Sequence, residues 1–426
     1  MQSYDEFSFF SVFIMSDSSP SGQVATTRIV KGTLEFTRTN RALFFGGFST
    51  FSLLYCIQPL FPLLSHQFHL TAAQSSWSLS VSSGLLAISL VLLSAVSDRI
   101  GRKPLMVASM ASAAVLTVLS AFAQDFAQLL AVRAALGIAL GGMPAVAMAY
   151  LGEEIDPPSL GLSMGLYIAG SAFGGMSGRL VASLLSDYLS WRWALGVLGV
   201  AGIVAAAEFW RSLPASRHFT RTTRGWDALP HAVRQHFSDA GLPWLFCLAF
   251  VLMGCFVSLY NYIGYRLLAA PFGLRQSTVG LLAFLYLIGI FSSVWAGRLV
   301  DRLGRRGVLW IMLSVMLSGI VLTLFDSLVL IVAGMALATF GFFASHSIAS
   351  SWVSRRARAP QALASAFYLL FYYLGSSLIG SATGTMWGLN GWSGVVAMLG
   401  VCLAGGLVIT LRLRHLQPLA PQAVAA

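Results

Sequence analysis

Residues 94–103 read SAVSDRIGRK and residues 297–306 read GRLVDRLGRR. Both contain D-R-x-G-R-[KR], with Asp98 and Asp301 203 positions apart. Each copy follows the second long apolar stretch of its half of the chain, so the halves read as a duplicated unit of parallel topology. The chemistry of the repeat suits a short connection at a membrane surface. Gly101 and Gly304 allow a tight turn, and an Asp at a helix end can face a helix N-terminus or a neighbouring Arg. The basic residues stay at an anionic leaflet. One copy could be plain positive-inside anchoring; two in equivalent places mark a device of the fold.

Working outward, hydrophobic residues make up 57% of the 426 positions and charged residues 10%, against roughly 25% charge in soluble domains. So few charges cannot cover a water-facing surface, and lipid is the natural solvent. Windows of about 20 apolar residues fall at 42–63, 75–97, 104–123, 127–150, 160–186, 191–211, 243–269, 277–299, 306–325, 328–352, 362–386 and 391–412. These runs are too long for barrel strands and show no sustained period-2 alternation. The expected architecture is an all-α membrane protein with two six-helix bundles, 42–211 and 243–412. A central loop at 212–242 joins them, and tails lie at 1–41 and 413–426. Within that loop, Trp226 to Phe237 could form a short interfacial helix.

The positive charge fixes the expected orientation. With both termini in the cytoplasm, 21 of the 26 Lys and Arg residues fall on the cytoplasmic side. Only Arg192, Arg266 and Arg275 fall outside, and Arg133 and Arg179 lie within spans. The net charge of +11 therefore belongs to membrane topology and does not indicate nucleic acid. The first residues lack a basic region and carry Asp5 and Glu6, unlike a signal peptide; Met15, before a polar stretch, is the expected true start. Cys56, Cys247, Cys255 and Cys402 lie in apolar runs without metal-ligand spacing and read as small core residues. No metal site, catalytic triad or GxxxxGK[ST] nucleotide loop is present, which argues against an enzyme and against ATP as the energy source.

The repeated loop resembles motif A of the major facilitator superfamily, departing only at Ser94, where that family usually has Gly. The segments TFSLLYCIQPLFPLLS, AYLGEEIDPPS, SMGLYIAGSAFGGMSGRL, FVSLYNYIGYR and FYYLGSS are similar to the drug-type proton antiporters of that superfamily. The resemblance implies a monomeric bacterial inner-membrane transporter that needs no cofactor and uses protons as coupling ion. It implies efflux of a small amphipathic or aromatic molecule by alternating access. It also implies that the motif A loop closes the cytoplasmic side in the outward-facing state. An importer of a sugar, amino acid or organic anion is the alternative, and a non-transporting membrane sensor a more distant one.

Ionisable groups inside spans are costly, and each is a site candidate. Arg133, in RAALGIALG, resembles the motif B Arg associated with proton coupling, although Leu136 stands where Gln is frequent. Read without the family, it is an Arg that snorkels or bonds backbone carbonyls. Arg179 follows Gly170, Gly174 and Gly178, a small-residue packing face; it stands where the antiporter motif has Pro. It either binds an anionic substrate or pairs with Asp187 or Asp125. His346 is a candidate proton carrier, because His titrates near neutral pH, or a satisfied core histidine. No Asp or Glu lies deep in any span.

Polar stripes on embedded helices must face protein or water. Tyr55 and Gln58 precede Pro59 and Pro62 in the first span. Asn261, Tyr262 and Tyr265 line one face of the seventh, and Tyr368 and Tyr372 one face of the eleventh. Together they are the expected substrate cavity, the alternative being hydrogen-bonded helix packing. The expected cytoplasmic gate comprises Asp98, Arg99, Gly101, Arg102, Lys103, Glu153 and Glu154 in the first half. In the second it comprises Gly297, Asp301, Arg302, Gly304 and Arg305. Glu153, Glu154 and Asp156 could pair with Arg99, Arg102 and Lys103 when the cytoplasmic gate is shut, and Asp301 could meet Arg355, Arg356 or Arg358.

Overall fold

The computed structural model describes residues 28–219, 229–357 and 361–416. These residues are helical almost throughout, with one isolated parallel bridge between Ile29 and Ile155. Eleven helical runs are long and apolar enough to cross a membrane. The last, Leu363–Arg414, holds two spans, because Asn390 (φ −132°) and Gly391 (φ +56°) interrupt it. The expected twelve spans are therefore present, in two bundles of six.

Helix starts follow capping chemistry. Thr33 accepts from the Phe36 amide, Asp125 from Gln128 and Ser190 from Trp193. Thr71 and Gln74 form a reciprocal capping box. Interruptions inside spans matter more for function. Span 1 runs from Leu34 to Tyr55, tightens into a 3-10 turn at Gln58–Leu60, and resumes as Phe61–Phe68. Pro59 and Pro62 lack N–H groups and cannot continue the hydrogen-bond ladder. Span 1 is thus longer than the apolar window at 42–63, reaching Phe68 in a second segment. Span 4 is likewise divided, into Phe126–Leu140 and Gly142–Glu154.

Within each bundle, glycines let one pair of helices touch backbone to backbone. Cβ atoms on Gly170, Gly174 and Gly178 of span 5 (Pro157–Tyr188) would lie 2.2, 2.0 and 2.6 Å from the carbonyl oxygens of Phe44, Phe48 and Ser52 on span 1. The other bundle repeats the device: a Cβ on Gly375 of span 11 would lie 2.0 Å from the Phe250 carbonyl oxygen of span 7 (Leu242–Leu268). The loops after spans 2 and 8 match as well. Gly101 and Gly304 both take positive φ, +101° and +75°, where a side chain is strained.

With an even number of crossings, both ends of the chain emerge on one face, called the terminal face below. Of the expected interfacial helix, Leu229–Phe237 is present; residues 226–228 lie outside the described residues, as do Met15, Arg221, Arg224 and Arg358.

Candidate functional site

The bundles meet on the face away from the termini. Tyr265 of span 7 holds its hydroxyl 2.6 Å from Ser65 and 2.5 Å from Ser75 of the other bundle. Gln276 donates to the Pro59 carbonyl at 2.6 Å, and Ser377 to the Ser80 carbonyl at 2.8 Å. Arg275 pairs with Asp187 at 3.3 Å, and the Ser277 hydroxyl donates to the same carboxylate at 2.5 Å. The fit there is close: a Cβ on Gly280 would lie 2.4 Å from that of Ser183. Among the described residues, no hydrogen bond or ion pair joins the bundles on the terminal face.

Arg179 sits behind this seal. It lies nine residues before Tyr188, roughly 14 Å along the helix, in the half of span 5 away from the terminal face. It is 4% exposed. Its Nε donates to Gln58 Oε1 at 2.5 Å and its Nη1 to the Gly175 carbonyl at 2.6 Å. The guanidinium carbon lies 4.1 Å from the ring centre of Tyr55, 4.8 Å from Tyr286 and 5.9 Å from Tyr260. Neither expected carboxylate is its partner. Asp187 is held by Arg275 and Ser277, and Asp125 caps the helix that begins at Phe126. The break in span 1 explains the geometry, because it turns Gln58 toward both Arg179 and span 7. There Gln58 Nε2 donates to Asn261 Oδ1 at 2.6 Å and to the Val257 carbonyl at 3.2 Å. A cavity of about 40 Å³, bounded by Gln58, Arg179, Ser183, Tyr260 and Asn261, lies at this junction.

His346 lies ten residues before Arg356, roughly 15 Å along span 10, on the terminal-face side of that helix's midpoint, whereas Arg179 lies on the far side of the midpoint of span 5. Its Nδ1 is 2.9 Å from the Tyr368 hydroxyl, and its ring is 4.7 Å from that of Tyr372 and stacked on Phe342. Tyr55, Gln58, Arg179 and Asn261 thus form one cluster, and His346, Tyr368 and Tyr372 another within the second bundle. Tyr262 stands apart: it is fully buried and donates to the Gly380 carbonyl of span 11 at 2.6 Å. Tyr265 belongs to the seal.

Arg133 is fully buried in the first bundle. Its Nε donates to the Ser78 carbonyl at 3.0 Å, and its Nη groups to the carbonyls of Leu53 and Leu54 at 3.2 and 2.8 Å. The helix ending at Tyr55 leaves its last carbonyls without intrahelical donors, and Arg133 caps two of them.

On the terminal face, Arg102 joins Asp98 at 2.7 Å and Glu153 at 2.7 Å, the latter pairing expected for the shut gate and present here within one bundle. Lys103 instead donates to the Leu213 carbonyl. Glu154 accepts the Arg217 and His218 amides and meets the His218 ring at 3.0 Å. In the second half, Asp239, not Asp301, meets Arg356, at 2.5 Å. Arg99, Arg302 and Asp301 are in no ion pair among the described residues, and Arg305 lies 5.9 Å from the Trp352 ring centre. Gly297 is in open space.

Sequence reasoning overlooked Tyr260, Tyr286, Ser183 and Asp239. Tyr260 lies on span 7 beside the polar stripe, its ring 5.1 Å from that of Phe256 and tilted against it, so it reads as an ordinary apolar position. Tyr286 stands alone in an apolar span. A search for aromatic residues at the depth of Arg179 would have raised both.

Comparison with known proteins agrees with this architecture. The Major Facilitator Superfamily model matches residues 43–378. The inner membrane transport protein YnfM of Escherichia coli is 47% identical over 387 residues, covering 91% of this chain and 93% of that protein. The uncharacterized MFS-type transporter YybF of Bacillus subtilis is 45% identical over 373 residues, covering 88% and 92%. Among solved structures, a bacterial homologue of the human lysosomal transporter Spinster, in an inward-facing conformation, superposes with a TM-score of 0.71 at 16% identity, covering 89% of this chain and 95% of that one. The nucleoside transporter NupG gives 0.71 at 15% identity, covering 87% and 98%. This chain therefore belongs to the major facilitator superfamily of membrane transporters.

Proposed function

We propose that this protein is a proton-coupled secondary transporter that exports a small amphipathic or aromatic compound by alternating access, with its terminal face in the cytoplasm of a bacterial inner membrane. The observation that carries the reading is the one-sided seal. Among the described residues, Tyr265, Gln276 and Asp187 bind across the bundles near one face only, and Ser377–Ser80 and the Arg179 cluster lie deeper. Two bundles hinged this way can exchange one closed face for the other around a fixed site. Orientation rests on the excess of Lys and Arg in the loops of the terminal face. In this reading the seal is the periplasmic gate. The Arg102–Glu153 and Arg102–Asp98 pairs brace the loop that would close the opposite side. The direction and the proton are inferred from the likeness to drug-type antiporters.

Everted vesicles carrying the protein test this, with a preset pH gradient and a panel of cationic dyes, sugars and organic acids. Collapse of the gradient by one class, abolished in His346→Gln, supports proton-coupled export and names the class. If labelled compounds equilibrate while protons stay put, the protein is a uniporter, and the coupling roles of Arg133 and His346 fall.

A further inference from the structure

The hydrogen bonds around Arg179 have a forced polarity. Guanidinium nitrogens only donate, so the Gln58 atom 2.5 Å from Arg179 Nε is the amide oxygen. Gln58 Nε2 must then point the other way, toward the Val257 carbonyl and Asn261. Asn261 answers with Oδ1, which leaves its Nδ2 over. That group is buried and has no hydrogen-bond partner among the described residues, and Asn261 is 2% exposed. The Ser183 hydroxyl, fully buried on the same cavity, is also without a partner. The residues that carry these two unanswered groups line the cavity together with the buried Arg179, and no acidic side chain lines it.

Charge reasoning points the same way. Arg133 and Arg179 are both buried in the first bundle, and neither pairs with a carboxylate among the described residues. Arg133 is answered by three backbone carbonyls. Arg179 is answered by one carbonyl, one amide oxygen and ring faces, a weaker set for a full charge in a low-dielectric interior. The Arg179 site is also where the two bundles meet, so an anion bound there touches both. The cavity, about 40 Å³ where one water needs about 10–15 Å³, has room for a carboxylate head. Tyr260, with Pro59, Pro62, Ile263 and Val279, lines the same cavity and offers the apolar remainder a surface.

Resting on the transporter reading above, we infer that the substrate is an organic monocarboxylate with an aromatic or apolar body. Its carboxylate is held by Arg179, Asn261 Nδ2 and Ser183, with Gln58 as the relay that orients Asn261. Cationic compounds are excluded from this site by Arg179.

The test uses the full chain in liposomes and three isosteric probes: benzoate, benzamide and benzylamine. Benzoate is expected to raise Tm in detergent and to support counterflow of labelled benzoate above protein-free liposomes; benzamide and benzylamine are not. Arg179→Gln should weaken benzoate binding by about tenfold or more, the loss of one charge-assisted hydrogen bond. Asn261→Asp supplies the anion from within, so it should abolish benzoate binding while leaving Tm of the unliganded protein unchanged or higher. This second variant keeps the test decisive if Arg179→Gln fails to fold. Counterflow of benzylamine without benzoate, equal binding of benzoate and benzamide, or a Tm response to chloride alone would each overturn the assignment. In everted vesicles, a response to cationic dyes without one to benzoate sinks the anion site and leaves the transporter standing; no response to any compound sinks both.

Discussion

Gly101 and Gly304, 203 positions apart, occupy the same place in the two halves and share an extended backbone of positive φ, with φ/ψ of +101°/158° and +75°/146°. That region is open almost only to glycine, and a side chain there costs on the order of 1–3 kcal/mol. A Cβ on Gly304 meets nothing within 4 Å, and one on Gly101 meets Pro104 at an ordinary 3.6 Å, so the cost is conformational and not steric. Gly101→Ala and Gly304→Ala should each lower Tm in detergent, by similar amounts, and together nearly additively. Unequal losses would show that the two loops are not equivalent.

The span 1–span 5 and span 7–span 11 contacts predict a sharper effect. Gly174→Ala and Gly375→Ala place a methyl 2.0 Å from a backbone oxygen, which must move because no flexible side chain can yield. Overpacking of this kind costs about 1–3 kcal/mol. Gly165→Ala, on the same span 5 but in open space, serves as the control and should leave Tm within about 0.5 kcal/mol equivalent.

These contacts also mark what sequence alone makes visible. Gly170, Gly174 and Gly178 announce a packing face by their spacing, and the duplicated D-R-x-G-R loops announce the glycine turns, because both signals are local. The surroundings of Arg179 are not local. Its charge is met by Gln58, turned inward by the proline break in span 1, and by Tyr260 and Tyr286 from the other half of the chain. Spacing along one helix could offer Asp187 as a partner, since it is eight residues on. It could not show that Arg275, arriving from the second bundle, already holds it. The same holds for Arg356: its partner Asp239 sits in the central loop, whose path no periodicity encodes.

That pair makes a prediction about pH. Burial pushes the Asp239 carboxyl up. The Arg356 guanidinium and the Gly241 and Leu242 amides outweigh it and hold the group below its ordinary value of 3.8. A carboxyl with a depressed native pKa contributes stability that is fully present above its unfolded value and is lost as pH falls through the native one. Asp239→Asn should therefore cost about 2 kcal/mol at pH 7, as for a charge-assisted bond. The gap in Tm between the variant and the unmodified protein should stay constant from pH 8 to about pH 5 and narrow only in stronger acid. A gap that changes between pH 6 and 8 would mean a different titrating partner.

Arg133 offers the cleanest separation of structure from coupling. Its three donors answer the carbonyls of Ser78, Leu53 and Leu54, two of them released where span 1 breaks. Arg133→Ala leaves the Leu54 carbonyl buried and unanswered, at about 1–3 kcal/mol, while the Ser78 and Leu53 carbonyls keep the Ser82 hydroxyl and the Cys56 thiol as donors, so the variant should unfold at a lower temperature. Arg133→Lys keeps the charge but replaces a planar fork by a point donor, so it should recover part of the stability. Were Arg133 chiefly a proton-coupling residue, both variants would keep Tm near that of the unmodified protein and lose only proton flux. Reading Tm and flux on the same preparations separates the two. A capping role requires flux per folded molecule to survive in Arg133→Lys in proportion to the stability it regains.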